Sequence, residues 1–197
     1  MDEPVLDVCT IGRCGVDLYP LEMNTPLEDV TRFGKFLGGS SANVAVSVAR
    51  LGHSVACATG VGDDPFGRFV RSELARLGVD ATHVVVNPEF NTPVTFCEVF
   101  PPDNFPLFFY RQPTTPDLEI GIGDLPRDAA TARILWLTVS GLSVEPSRSA
   151  NHEALRRHHG NGMSVLDLDY RARFWPSEQE ATAQVQQALE HVDVAIG

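Results

Sequence analysis

Phe33-Gly34-Lys35-Phe36-Leu37-Gly38-Gly39-Ser40-Ser41-Ala42-Asn43-Val44-Ala45-Val46-Ser47-Val48-Ala49-Arg50-Leu51-Gly52 reads as strand, glycine turn, helix and stop. Phe33 to Leu37 is a short apolar run with the look of a buried strand. Ser40 or Ser41 can cap the helix that follows. Ala42, Val44, Ala45, Val46, Val48, Ala49 and Leu51 make that helix apolar almost all round, which predicts a buried helix. Gly52 ends it. Two glycines between strand and helix let a ligand approach backbone that no Cβ shields. The helix start behind them offers unpaired N–H donors. Asn43 adds a side chain that donates and accepts, which suits hydroxyl groups. A tight turn followed by a buried helix with a satisfied Asn43 would read the same way.

Outward from this stretch the pattern alternates. Val5 to Ile11 and Ser54 to Gly60 read as strands. Asp64-Pro65 marks a helix start, with Asp64 as cap and Pro65 at the first helical position. Phe66, Phe69, Val70, Leu74 and Leu77 recur at helical spacing, and Gly78 stops the helix. Toward the C-terminus, strands at 134–139 and 163–168 alternate with helices at 146–159 and 177–191, and a last strand begins at Val192. Strand–helix alternation predicts an α/β fold with a mostly parallel sheet flanked by helices. Between Thr82 and Gln112 the character changes. Val84 to Val86, Pro93 to Phe100 and Leu107 to Tyr110 are strands without crossover helices, which predicts a small antiparallel lid.

Bulk properties narrow the partners. The 197 residues suffice for one sizeable α/β core. A net charge of -11 argues against a nucleic-acid or anionic-membrane partner, and no apolar run approaches the length of a membrane span. Met1-Asp2-Glu3-Pro4 lacks the basic and apolar start of a signal peptide. Cys9, Cys14, Cys57 and Cys97 are scattered with no zinc spacing, as expected of free thiols in a reducing cytoplasm. No metal site is read from the sequence. His158 and His159 fall in the last turn of a helix, where dipole-complementing surface residues are expected.

The stretch Gly38 to Gly52 resembles the first signature of the ribokinase-like (PfkB-type) carbohydrate kinases. Other pieces match in the family's order: Gly15-Val16-Asp17 after the first strand, Val61-Gly62-Asp63-Asp64 with Gly67, strands at 92–112 where the family has its lid, and Val165 to Arg171 with Phe174-Trp175. The matches span essentially the whole chain. The resemblance implies that Asp17 grips two sugar hydroxyls, with Gly38, Gly39 and Asn43 in the same pocket. Gly12 to Pro20, Phe109-Tyr110-Arg111 and Asp167-Leu168-Asp169-Tyr170-Arg171 further resemble the 5-dehydro-2-deoxygluconokinases of inositol breakdown. Such a substrate is a sugar acid. Arg13, Arg111 and Arg171 are then the candidates to hold its carboxylate, because arginine's planar fork binds it bidentately, with Asp169 alongside. The bland alternative for each arginine is a surface salt bridge, and for Asp17 a turn or cap.

In this family the catalytic base is the aspartate of a G-A-G-D segment far toward the C-terminus, and the ATP pocket is built there too. The resemblance therefore implies ATP and Mg²⁺ as cofactors, with their site and the catalytic aspartate expected beyond Gly197. Residues 1–197 are accordingly expected to be the N-terminal portion of a kinase domain, with lid strands within 82–112. Gly121-Ile122-Gly123-Asp124 has the right letters but lies between the lid and a central strand, where a loop is expected. No Walker-type phosphate loop is present. The rivals are a non-catalytic sugar-binding module and a fructose or nucleoside kinase of the same superfamily. A dehydrogenase fits poorly, since no G-x-G-x-x-G links a strand to a helix. The resemblance also implies pairing of two lids in a homodimer, since Val94, Phe96, Val99, Phe105, Phe108 and Phe109 would otherwise leave an apolar patch; folding of these residues back onto their own core is the alternative.

Overall fold

The computed structural model describes residues 6–197; the N-terminal reading at Met1 to Pro4, and Val5 of the first strand, lie outside them. Six parallel strands form the main sheet in the order β10-β9-β8-β1-β4-β5. They are β1 (Val8–Ile11), β4 (Val55–Gly62), β5 (Val84–Asn87), β8 (Ile134–Thr138), β9 (Met163–Asp167) and β10 (Val194–Ile196). Alternating side chains of these strands feed two cores. On one face Val8, Val55, Cys57 and Val61 pack with Ala42 and Ala45 of α1 (Ser40–Arg50) and with Val70 and Leu74 of α2 (Pro65–Arg76). On the other, Cys9, Ile11, Leu135, Leu137 and Leu166 pack with Ala150, Ala154 and Leu155 of α3 (Ser147–His158) and with Ala181 and Ala188 of α4 (Glu178–Leu189). This is the helix-flanked parallel sheet that the alternation predicted.

The second sheet is the lid. Its order is β3-β2-β6-β7, with β2 (Gly15–Pro20), β3 (Phe33–Gly38), β6 (Val94–Cys97) and β7 (Leu107–Tyr110). It differs from the expectation in three ways. The sheet is mixed rather than antiparallel, because β2 runs parallel to β6. Half of it comes from β2 and β3, which lie before residue 82. Val84 to Val86 belongs instead to the main sheet, where β5 pairs in parallel with β4. A run of three valines satisfies an edge strand beside β4 as readily as a lid strand, so composition could not separate the two.

Other differences are local. Helix α1 is buried along one stripe only, at Ser41, Ala42 and Ala45, with Asn43 and Ser47 on its open side. His158 is fully buried, and its Nε2 lies 2.9 Å from the Ala132 carbonyl oxygen; it is a core histidine rather than a surface one. The cap expected at Asp64 is present, accepting from the Gly67 amide at 2.8 Å, and Ser177 caps α4 by accepting from the Glu180 amide at 3.1 Å. The cap expected from Ser40 or Ser41 is not: both lie inside α1, whose N-cap is Gly39 with no side-chain hydrogen bond. Strand β10 forms the sheet edge, with Val194 and Ile196 exposed.

Strand order reverses at β1: the chain moves from β1 to β4 on one side and returns to β8 on the other. In open α/β sheets such a switch leaves a crevice at the carboxyl ends of the strands. The lid hangs over that crevice, because β2 follows β1 after only Gly12 to Cys14.

Candidate functional site

A cavity of about 260 Å³ occupies the crevice. Arg13, Asp17, Tyr19, Gly39, Ser40, Asn43, Thr95, Phe109, Arg111, Ser140, Asp169, Arg171 and Phe174 line it. Most come from a strand end or the lid, and Ser40 and Asn43 come from the first turn of α1. Arg13 follows β1, Ser140 follows β8, and Asp169 and Arg171 follow β9. Asp17, Thr95 and Phe109 project from the lid. Seven of the eight residues singled out from the sequence line this cavity. The eighth, Gly38, stands behind it: a Cβ there would overlap the Asp17 carboxyl. Gly39 adopts φ +103°, and a Cβ on it would run into the Arg13 carbonyl oxygen. Both positions therefore demand glycine, one for packing and one also for conformation.

The polar groups are unevenly satisfied. Asp17 Oδ1 is buried and has no hydrogen-bond partner. Burial raises its pKa above the ordinary carboxylate value, and Arg13 partly opposes the rise. Arg13 Nη1 stands 3.8 Å from that oxygen and donates to Thr95 Oγ1 at 3.2 Å. Burial, and then the nearby Arg111 guanidinium, push the Arg13 pKa down. An acceptor entering the cavity would relieve both cations, and a hydroxyl donor would satisfy Asp17.

Arg111 is buried, and its Nη2 donates to Asp117 Oδ2 at 2.6 Å and to Thr115 Oγ1 at 3.2 Å. Its guanidinium carbon sits 5.0 Å from the centre of the Phe174 ring. Asp117 and Thr115 were not anticipated. They lie beyond the lid strands in a stretch without periodicity, and only the spacing of an acid six residues after Arg111 hinted at the pair. Arg171 forms a two-pronged contact with Asp169, at 3.0 and 2.9 Å, on the open side of the cavity. Phe109 of the lid meets Phe174 edge-on at 5.7 Å, and Arg13 and Arg173 sit over the Phe109 ring at 5.9 and 5.3 Å. These contacts tie the lid to the loop after β9.

Residues expected to be structural are so. Asp64 is spent on Gly67 and on Thr92, whose amide and hydroxyl reach it at 2.7 and 3.0 Å. Asp124 folds back onto the Gly121 amide at 2.9 Å in an exposed turn outside the cavity. A larger groove of about 870 Å³ lies against the outer face of the lid, between Leu18, Phe96 and Tyr110 and the segment Pro113 to Thr115. Residues after β4 (Asp64 to Phe66) and after β5 (Glu89 to Thr92) also line it, and its surface is mostly apolar, unlike that of the smaller cavity.

The family model of the pfkB family carbohydrate kinases matches residues 5–197. The chain belongs to that family. Its crevice, lid and Gly38-Gly39 turn are thus those of a pfkB-family carbohydrate kinase. The chain is 35% identical over 196 residues to the 5-dehydro-2-deoxygluconokinase of Geobacillus kaustophilus, covering 98% of this chain and 58% of the relative. It is 34% identical over 194 residues to that of Lacticaseibacillus casei, covering 97% and 59%. Among solved structures, an uncharacterized sugar kinase from Pyrococcus horikoshii in complex with ATP superposes with a TM-score of 0.86 at 26% identity, over 95% of this chain and 62% of that one. This pfkB-family chain thus spans a little under three fifths of the length of those two curated relatives.

Proposed function

We propose that the cavity binds a small sugar acid of the 5-dehydro-2-deoxygluconate type, and that the complete protein phosphorylates a primary hydroxyl of it with ATP. The observation that carries the reading is the buried, unpartnered Asp17 Oδ1 beside the loosely paired Arg13. A buried carboxylate oxygen left without a donor is costly unless a ligand supplies one. Sugar hydroxyls do so, with Asn43 and Ser40 as further partners at the start of α1. Arg13, Arg111 and Arg171 supply positive charge for the substrate carboxylate, and Asp169 orients Arg171.

The ATP requirement comes with the family. Among the described residues no group of three or more His, Cys, Asp and Glu is arranged to hold a metal ion. The groups that would hold Mg²⁺, the nucleotide and the catalytic aspartate are expected beyond Gly197. This stretch then contributes binding and orientation, and its own turnover should be weak or absent. The reading also places the protein in the cytoplasm; no helix among the described residues is long and apolar enough to cross a membrane.

Titration calorimetry of the chain against 5-dehydro-2-deoxygluconate and fructose, with an ADP-release assay, tests these statements. Preferential binding of the acid without turnover is expected. Turnover at ordinary kinase rates would remove the division of labour. Preference for fructose would favour a second reading, a kinase of neutral sugars. One observation supports that rival: Arg111 and Arg171 are each already paired with an aspartate. Binding to neither would favour neither kinase reading.

The lid offers a partner surface. Phe105, Phe108 and Tyr110 are exposed, and Phe33, Phe96 and Tyr110 form an edge-to-face row. Pairing of two lids in a homodimer would cover them. Light scattering of the chain should then give twice the monomer mass, and a Phe108→Asp variant should return it to monomer.

A further inference from the structure

Cys14 and Cys57 are both fully buried, and their sulfurs stand 3.3 Å apart. The reading of the cavity as a sugar-acid site gives neither thiol a task. Cys57 belongs to β4, and Cys14 sits in the short link from β1 to the lid, between Arg13 and Gly15. The Cys14 amide donates to Thr59 Oγ1 at 3.2 Å, which fixes the link against β4. The link also forms the next layer beneath the cavity. A Cβ on Gly39 would meet the Arg13 carbonyl and would stand 3.2 Å from the Cys14 Cα, so Gly39 and the link touch without slack. Arg13 and Gly39 line the cavity itself.

We infer that Cys14 and Cys57 form an oxidisable dithiol, a modification site for hydrogen peroxide, whose closure to a disulfide shifts the Arg13–Gly15 link. A disulfide needs its sulfurs about 2.05 Å apart, so the pair must close by roughly 1.2 Å. Either sulfur can donate to the other, so either thiol can react first. With Cys57 attacking, Cys14 resolves. The Cys57 sulfur takes one peroxide oxygen as the O–O bond breaks, and the departing hydroxide picks up a proton to leave as water. Cys14 sulfur then attacks the Cys57 sulfenic acid. The S–S bond forms and a second water leaves with the Cys14 proton. Two electrons pass from the dithiol to the peroxide. Both thiols are fully buried, so a small neutral oxidant reaches them through local opening.

The test is peptide mapping of the intact chain after hydrogen peroxide, with amide NMR before and after. A Cys14–Cys57 cross-link reversed by dithiothreitol is expected, with the largest shifts in residues 12–17 and 38–41. Cys57→Ser should abolish the cross-link. Should that variant fail to fold, mapping of the wild-type chain decides alone. Oxidation confined to Cys9 or Cys97, an absence of reaction, or a cross-link that leaves residues 12–17 unshifted would overturn the inference. None of these readouts uses a sugar ligand, so the outcome is independent of the kinase reading.

Discussion

The Asp17 carboxyl fills the space in which a Cβ on Gly38 would stand. One glycine in the Gly-Gly turn thus holds open the position of a cavity-lining carboxylate that lacks a hydrogen-bond partner at a buried oxygen. The neighbouring glycine serves a different end, since Gly39 carries a positive φ and abuts the Arg13 carbonyl. The two should separate experimentally. Gly38→Ala displaces Asp17 and should weaken sugar binding by about 10- to 100-fold, the range for a charged hydrogen bond. Gly39→Ala forces a side chain into the left-handed region and into backbone, and should cost about 1–3 kcal/mol or more of stability. Urea titration and calorimetry on both variants check this. Equal loss of stability in the two would contradict it.

Asp17 itself should trade stability for binding. Burial raises its folded pKa above the ordinary value. A carboxyl with a raised folded pKa binds more protons folded than unfolded between the two values, so stability falls as pH rises through that window. At neutral pH the charged form is therefore a net cost. Asp17→Asn keeps the shape and removes the charge. The melting temperature of the free chain at neutral pH should rise, while sugar affinity falls about tenfold or more. A lower melting temperature would mean that Arg13 compensates the carboxylate better than its 3.8 Å separation implies.

Much of this site was legible because ligand-facing residues in an open α/β sheet follow strand ends. Arg13 follows β1, Asp169 and Arg171 follow β9, and Gly38-Gly39 join strand to helix. The resemblance added the roles of Asp17, Arg13, Arg111, Arg171 and Asp169, whereas the lid already showed in strands without crossover helices, though without β2 and β3. What the sequence hid was the pairing. Strand β2 alternates, with Asp17 and Tyr19 toward the cavity and Val16 and Leu18 toward the core, but Gly15, Asp17 and Pro20 are weak strand formers, so it does not read as half of a lid. Asp117 was hidden because an ion pair between two irregular segments leaves no periodic trace. The uniform apolar face expected of α1 failed because propensity says nothing about which stripe meets the sheet.

Asp64 should make acid sensitivity visible. Burial alone would raise its pKa, but hydrogen bonds from Thr92 and Gly67 outweigh it and hold the pKa below the ordinary 3.8. A depressed folded pKa gives stability that is present above the ordinary value and is lost as pH falls through the folded one. The advantage of wild type over Asp64→Asn should thus be full at about pH 6 and should shrink toward about pH 3. Asp64→Ala should cost about 2 kcal/mol at neutral pH, from the lost cap and the stranded Thr92 amide. Paired urea titrations across that range measure both. A difference independent of pH would show that the carboxylate charge plays no part in the cap.

The Arg111–Asp117 pair sets the last expectation. Both residues are buried, at 8% and 4% exposure, and the second oxygen of Asp117 has no partner. Removing one member leaves an uncompensated buried charge, at a cost of about 3–5 kcal/mol. Arg111→Met and Asp117→Leu should each destabilise by that order, while the double variant recovers most of the loss, because an apolar pair of similar volume needs no compensation. Binding should not recover. If Arg111 turns its remaining donors to a sugar carboxylate, the double variant should bind 5-dehydro-2-deoxygluconate at least about tenfold more weakly than wild type, and fructose with unchanged affinity. Recovery of both stability and acid binding would reduce Arg111 to a structural clamp and leave the carboxylate to Arg13 and Arg171.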